Sequence, residues 1–328
     1  VDPEPFIRGR AFPGNQRVPY PRAKPEDFMR LPIDTWAVAR VPVGIRLEFV
    51  GDARAVEIEY RTHTDNFGYR GVGAGHTFDL WVNGGRVAEI DAELGSGKAT
   101  VTLPEWEAER AIVYLPEGMK PTITSLEPVD GSIEPGPPQP RWVAYGDSVA
   151  EGWIASGPAL SWPAVAGRDQ GLDMVNMGYA SAARGEMVSA EHVAEVEADV
   201  ISITHGTNCW TRIPHSVAMF EAGLHAFLDV VRQGHPDTPI LVSSPVVRPD
   251  AEETPNRLGA TLADLRRAME DVVGVRMKSD PALTIVPGGD LIDASMLGDA
   301  VHPNDEGHAK MAAVLGPVLR GLIDERSV

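Results

Sequence analysis

The sequence predicts an α/β fold with a parallel sheet, preceded by a β-sandwich or jelly-roll domain. Three observations predict it. Residues 1–130 carry many short runs in which apolar and polar residues alternate, punctuated by turn signals and without a long helical pattern. Residues 141–328 change rhythm: short continuous apolar runs alternate with amphipathic stretches of helical period. Between them, Gly131 to Pro140 reads as a Pro-rich linker over 131–140, because proline stiffens the chain and cannot donate within a central strand.

In chain order, the first ~35 residues are rich in Pro and Arg and are expected to run extended over the surface. Residues 45–49 and 56–60 alternate apolar and polar positions, as half-buried strands do. A third such run, 78–82, is followed by Asn83-Gly84-Gly85 and then by 87–90. Asn-Gly between alternating runs signals a hairpin, since both turn residues need positive φ. Further strands are expected at 99–103, 111–115 and 122–126. In the second half the buried strands are expected at 142–145, 174–177, 200–204, 240–243 and 283–286. Between them, Val217, Phe220, Leu224, Phe227, Leu228 and Val231 share one helical face. So do Leu258, Leu262, Leu265, Met269 and Val272, and, in the last helix, Met311, Val314, Leu315, Val318 and Leu322. No internal repeat is visible.

A chain of 328 residues has room for two domains or one large one. It carries 47 acidic against 29 basic residues, a net charge of −18. That balance argues against nucleic acid and against anionic membranes as partners, and reads as a solubilising surface. No apolar run approaches the length of a bilayer span. The lone cysteine, Cys209, excludes an intramolecular disulfide and fits a cytoplasmic protein. The first residues have no basic and apolar signal pattern, yet the chain begins at Val1, so secretion after signal removal stays open.

The chemistry concentrates in two segments. Gly146-Asp147-Ser148-Val149 follows the first buried run, so Ser148 stands just past a strand end at the mouth of a helix. There its hydroxyl faces outward and its N–H lies in the first turn, where amides are unpaired and the dipole favours negative charge. Far along the chain comes Asp299-Ala300-Val301-His302, bounded by Pro303. A serine hydroxyl needs a base near neutral pH, and an imidazole needs a carboxylate to fix its tautomer. Ser148, His302 and Asp299 are thus the candidate catalytic residues. Functional groups gather at the carboxyl ends of strands in open parallel sheets. The candidate oxyanion donors are therefore the N–H of Ser148, an N–H in the loop from Gly178 to Ser181, and the side-chain amide of Asn208.

These blocks resemble the SGNH, or GDSL-type, hydrolases. Gly146-Asp147-Ser148 matches the family's first block, Gly206-Thr207-Asn208 its Gly-x-Asn block, and Asp299 to His302 its Asp-x-x-His block. The likeness covers about residues 141 to 325 and implies a flavodoxin-like three-layer α/β/α fold and ester hydrolysis through a serine acyl-enzyme. Residues 40–130 look like the β-sandwich ahead of the SGNH domain in family 2 carbohydrate esterases. The second block departs from the pattern: five residues after Asn176 the chain has Ser181, while a glycine stands two after, at Gly178. Asn208 is followed by Cys209 and Trp210, where Asp or Glu is common.

Position in the chain separates the rival readings. Of nine histidines, two follow an aspartate by three: His302 and His308. His308 falls inside the expected last helix, where it would be solvated or packed; His302 lies in the loop. His205, beside Gly206, suits packing better than catalysis. Asp147 is expected to order the loop. Trp153, Trp162, Trp210 and Arg184 are candidate cleft residues, with packing as the plainer account. Cys209 reads as a small buried hydrophobe. No metal-ligand spacing and no cofactor motif is present. Gly95-Ser96-Gly97-Lys98 fits a hairpin turn better than a phosphate loop, and Gly71 to Gly75 fails the dinucleotide spacing. The expected function is a serine esterase removing short acyl groups, acetyl first, from a carbohydrate or small natural product. Acyl transfer, longer-chain lipase or thioesterase action, and an inactive glycan-binding protein are the alternatives. A homo-oligomer is left open.

Overall fold

The computed structural model describes residues 1–64, 75–104 and 110–326. In the first half, β1 (Ile7–Arg8) and helix α1 (Ile33–Ala39) precede β2 (Arg46–Gly51), β3 (Ala55–Arg61), β4 (Thr77–Val82), β5 (Gly85–Asp91), β6 (Ser96–Thr102), β7 (Ala111–Tyr114), β8 (Thr122–Val129) and β9 (Ile133–Pro135). They form two antiparallel sheets. One has the order β1-β2-β7-β4-β5, with β9 also on β2; the other is β6-β3-β8. The alternation seen in the sequence is the alternation of burial: Val56, Ile58 and Tyr60 of β3 face inward against Leu47, Phe49, Phe78, Leu80 and Val113 of the other sheet. Asn83 and Gly84 both take positive φ, 53° and 76°, as a tight hairpin requires.

Three expectations change in this half. Gly95 leads into β6, which pairs with β3 in the other sheet, so Gly95 to Lys98 begins a crossing between sheets and is not a hairpin turn. Residues 133–135 of the Pro-rich stretch pair with β2, at the sheet edge where a proline loses no ladder donor. The first residues do more than skirt the surface. Phe6 and Tyr20 enter the sandwich core, while Phe12, Ala23 and Leu31 enter the core of the second half. Gly71 to Ala74 lie outside the described residues.

The second half alternates β10 (Arg141–Gly146), α2 (Ser148–Glu151), α3 (Trp162–Gln170), β11 (Asp173–Gly178), α4 (Met187–Glu195), β12 (Val200–Thr204), α5 (Asn208–Thr211), α6 (Val217–Gly234), β13 (Ile240–Ser243), α7 (Leu262–Arg276), β14 (Leu283–Val286) and α8 (Asp305–Arg326). The five strands are parallel in the order β11-β10-β12-β13-β14, the flavodoxin-like order. Each strand is apolar on both faces because each face is covered. Val143 and Tyr145 of β10 point to the layer of α4, α6 and α7; Trp142 and Ala144 point to α3 and α8. Leu258 does not join the α7 face. The helix starts after a capping box at Thr261 and Asp264, and Gly259, at φ 84°, turns the chain before it, so Leu258 is 49% exposed. In α8 the buried stripe runs through His308, Met311, Leu315, Leu319 and Ile323, with Val314, Val318 and Leu322 half-covered at its margin. Among the described residues no helix is long and apolar enough to cross a membrane.

The sandwich packs its outer face on this second half. Ile112, Tyr114 and Trp81 join the cluster of Trp142, Trp162 and Met174, and the Arg168 guanidinium lies 3.7 Å above the Trp81 ring.

Candidate active site

The sheet register brings three strand ends level, since Gly146 stands opposite both Gly178 and Thr204. Gly146 must be glycine: a Cβ there would lie 2.5 Å from the Thr204 carbonyl oxygen and 2.6 Å from Ala150 Cβ. The absence of a side chain lets α2 fold back onto the strand end. Asp147 caps that helix, accepting from the Val149 N–H at 3.0 Å. Burial pushes its carboxyl up to about 6, against the hydrogen bonds it accepts from Val149 and Thr207. It orders the loop, as its place in the sequence suggested. Ser148 is the first residue of the helix, 4% exposed, and its N–H has no partner among the described residues.

The Asp299 turn closes on this serine across 154 positions. His302 Nε2 is 2.9 Å from Ser148 Oγ, and His302 Nδ1 is 2.7 Å from Asp299 Oδ2. Asp299 Oδ1 accepts from the N–H of His302 at 2.7 Å and of Val301 at 3.0 Å, so the carboxylate holds both the ring and the backbone that carries it. Ala300 takes a left-handed φ of 65°, a conformation unfavourable for a residue with a Cβ, to make the turn this tight. A bridge between Leu297 and Pro303 pins its base. The Trp153 ring lies against His302 with centroids 5.6 Å apart. Burial lowers the His302 pKa, and Asp299 opposes that shift without cancelling it. Burial alone would raise the Asp299 carboxyl; the hydrogen bonds from the His302 side chain and backbone outweigh it and hold the group below the usual range. The set is thus an ionised carboxylate, a neutral imidazole and a hydroxyl in hydrogen-bond sequence.

Of the two loop amides considered for the oxyanion, Gly178 is engaged: its N–H donates to Asn176 Oδ1 at 2.8 Å. The reason is local, because Asn176 turns its side chain forward over its own strand end while its amide group donates to Ala150 O at 2.8 Å. Tyr179 and Ala180 N–H groups are engaged too, with Gly146 O and Glu151 Oε2. Ser181 N–H has no partner among the described residues, and Ser181 sits at φ 60°. Asn208 is buried, one amide hydrogen pointing at Ala183 O at 3.4 Å, long for a hydrogen bond.

Other expectations resolve by contact. Arg184 is no free cleft residue: its side chain is 5% exposed and binds Asp34, Glu186 and the Ser181 carbonyl. Trp162 is core, 5.4 Å from the Trp142 ring. Trp210 is half-buried, donates to Thr254 O and carries the Arg248 guanidinium 4.9 Å above its ring. Arg248 also acts on His302, lowering its pKa; nothing but its place beyond the end of the fourth strand could have flagged it. His308 is packed, accepting from Trp162 N–H and facing Trp153 O. His205 is buried among Tyr145, Phe220 and Phe227, and burial draws its pKa down to about 4. Cys209 is buried and burial pushes its thiol up, so it is inert. Arg22 and Glu151 were missed. They touch residues 178–180, Arg22 from an N-terminal segment without a motif and Glu151 from the end of the short helix that Ser148 begins.

A flavodoxin-like sheet with Gly-Asp-Ser at the end of its first strand and Asp-x-x-His ahead of its last helix is the layout of the SGNH hydrolases. The chain belongs to the GDSL-like lipase/acylhydrolase family, which residues 139–320 match. Its chemistry is therefore that of acyl esters, by hydrolysis or transfer. Similar solved structures include a salicylyl-acyltransferase from a tetracycline biosynthetic pathway, at 23% identity and TM-score 0.80, covering 94% of this chain and 91% of that one. A family two carbohydrate esterase from Clostridium thermocellum has 16% identity and TM-score 0.63 over 85% and 92% of the two chains. An acetyl xylan esterase from Butyrivibrio proteoclasticus has 13% identity and TM-score 0.64 over 97% and 96%. At these identities the likeness is one of fold, and it extends to the N-terminal sandwich. No curated protein matches the chain.

Proposed function

We propose that the chain is a serine esterase acting on short acyl esters, acetyl esters first, of a carbohydrate or small natural product. The observation that carries this reading is the 2.9 Å approach of His302 Nε2 to Ser148 Oγ, with Asp299 on the other ring nitrogen. In the reaction, Ser148 Oγ bonds to the ester carbonyl carbon as its proton passes to His302 Nε2. The carbonyl oxygen becomes an oxyanion facing the N–H groups of Ser148 and Ser181 and the Asn208 amide, each such donor contributing about 3 kcal/mol. Collapse breaks the bond to the leaving alkoxide, which takes the proton from His302. Water then repeats the sequence on the acyl-enzyme and frees the acid. Asp299 keeps the imidazole in the tautomer with its proton on Nδ1 and steadies the imidazolium.

The short acyl group is supported by the nucleophile's 4% exposure, by the Trp153 ring against His302, and by the likeness to an acetyl xylan esterase. A panel of acetate to octanoate esters and acetylated sugars tests both points with Ser148→Ala as control. Acetate should be the best substrate, and Ser148→Ala should lower kcat by about 10⁴-fold or more with the fold intact. A variant keeping most activity would remove Ser148 as nucleophile, and faster turnover of octanoate would remove the short acyl group.

A second reading, transfer of the acyl group to an acceptor alcohol, is favoured by the likeness to the salicylyl-acyltransferase over 94% of the chain. Product analysis with a competing alcohol separates the two: a dominant new ester means transfer, the free acid hydrolysis.

A further inference from the structure

We propose that Arg22 is a positioning residue for the oxyanion site, and that the N-terminal segment is thereby a working part of the catalytic apparatus. This rests on the serine-esterase reading above. Arg22 lies 126 positions before Ser148, outside the segment that matches the family, and is 1% exposed. Its Nε donates to Val41 O at 2.7 Å and one terminal nitrogen to Val38 O at 2.8 Å, which fixes the guanidinium to its own segment. The remaining donors reach into the site. One goes to the Gly178 carbonyl, and another to Glu151 Oε2 at 3.2 Å. Glu151 ends the short helix that Ser148 begins, and the same Oε2 accepts from Ala180 N–H at 2.8 Å. Tyr179 returns a bond, its hydroxyl donating to Arg22 O at 2.6 Å, and the guanidinium lies 5.4 Å from its ring centre.

One buried guanidinium thus ties the nucleophile helix to residues 178 to 180, immediately before Ser181. On the other side Arg184, itself held by Asp34 of the N-terminal segment, grips the Ser181 carbonyl at 3.1 Å. Ser181 is therefore held through the Ala180 N–H on one side and through its own carbonyl on the other, while its own N–H has no partner among the described residues. Its φ of 60° supplies the need for such fixing. A left-handed non-glycine residue is costly and persists only where its surroundings over-determine it. Without Arg22 the loop loses its tie at the Gly178 carbonyl and the cation that orients Glu151 toward Ala180, and the Ser181 N–H turns away from the developing oxyanion. The ester's ground state needs no such donor, so the loss falls on kcat.

The test uses the full chain with Arg22→Met and Tyr179→Phe, the second keeping the core filled should the first fail to fold. Three quantities are read: kcat and KM on an acetate ester, affinity for a trifluoromethyl ketone, and thermal unfolding. The ketone adds Ser148 Oγ to its carbonyl carbon with the proton on His302, and so presents a stable oxyanion to the site. Arg22→Met should lose about 10- to 100-fold in kcat with KM little changed, and ketone affinity should fall in parallel. Tyr179→Phe should show the same pattern, smaller. Each, combined with Asn208→Ala, should lose less than the product of the single losses, because both act on one oxyanion. Folded variants with parental kcat and ketone affinity, or with losses that simply multiply, would overturn the proposal. Ser148→Ala in the same series keeps the two ideas apart: if it retains activity, the esterase reading fails, whatever Arg22 does.

Discussion

Between Ser148 Oγ and Asp299 Oδ2 lies a single imidazole, and its proton state decides whether the arrangement works. His302 must be neutral to accept from Ser148. Burial lowers its pKa and Asp299 only partly restores it, so the neutral form persists below the ordinary imidazole value of about 6.5. The sign follows: kcat/KM falls as pH drops through the folded pKa, and that fall is centred below about 6.5. A pH profile of kcat/KM with hydrolysis limiting is the check; an acid limb centred above about 7 would mean that another group is being titrated. At this scale the sequence was informative where spacing carries chemistry. Gly146-Asp147-Ser148 and Asp299 to His302 were legible because their partners are local or their position in a parallel sheet is dictated. Arg184 was misread. A buried arginine and a cleft arginine have the same letter, and only Asp34, 150 positions earlier, distinguishes them.

The element that aims the nucleophile is the turn from β10 into α2, and it is built on close backbone approach. A Cβ on Gly146 would meet the Thr204 carbonyl oxygen at 2.5 Å, an atom of the neighbouring strand that cannot move without disturbing the sheet. Gly146→Ala should therefore cost about 1–3 kcal/mol of stability and displace Ser148 from His302. Denaturant unfolding and kcat measured together check it; parental values for both would show that the turn has slack. Strands and helices of this kind were readable from periodicity, since burial on both faces gives continuous apolar runs and burial on one gives alternation. Leu258 shows where periodicity fails. It continued the apolar spacing of α7, but the capping box at Thr261 and the turn at Gly259 set the helix start, and local hydrogen bonds outrank one apolar position.

At the scale of the whole molecule, the sandwich and the α/β layers meet through buried charge as well as apolar surface, in a chain of net charge −18. Arg46 of β2 is 3% exposed. It donates to Glu48 at 2.6 Å in its own sheet, and across the interface to Asp173 at 2.8 Å and to the Met174 carbonyl at 2.9 Å, at the start of β11. Arg110 completes the cluster on Glu48. None of this was visible in the sequence, because an ion pair between residues 46 and 173 leaves no local pattern, and the first ~35 residues read as surface for the same reason. Removing the cation leaves Glu48 to Arg110 alone and Asp173 to Arg141 at 3.6 Å, and takes away the one cation that bridges the two carboxylates across a poorly solvated seam. Arg46→Met should therefore cost about 3–5 kcal/mol, the size expected when one partner of a buried pair is lost, even though a fully apolar replacement of the cluster need not be destabilising. Because the cluster spans both halves, the loss should shift one shared unfolding transition. Far-ultraviolet dichroism and tryptophan fluorescence should move together, since Trp81 lies at the seam and Trp142 in the sheet beyond it. Two separated transitions in the parent protein, or an unchanged midpoint in the variant, would mean that the halves fold independently and that the seam contributes little to holding them together.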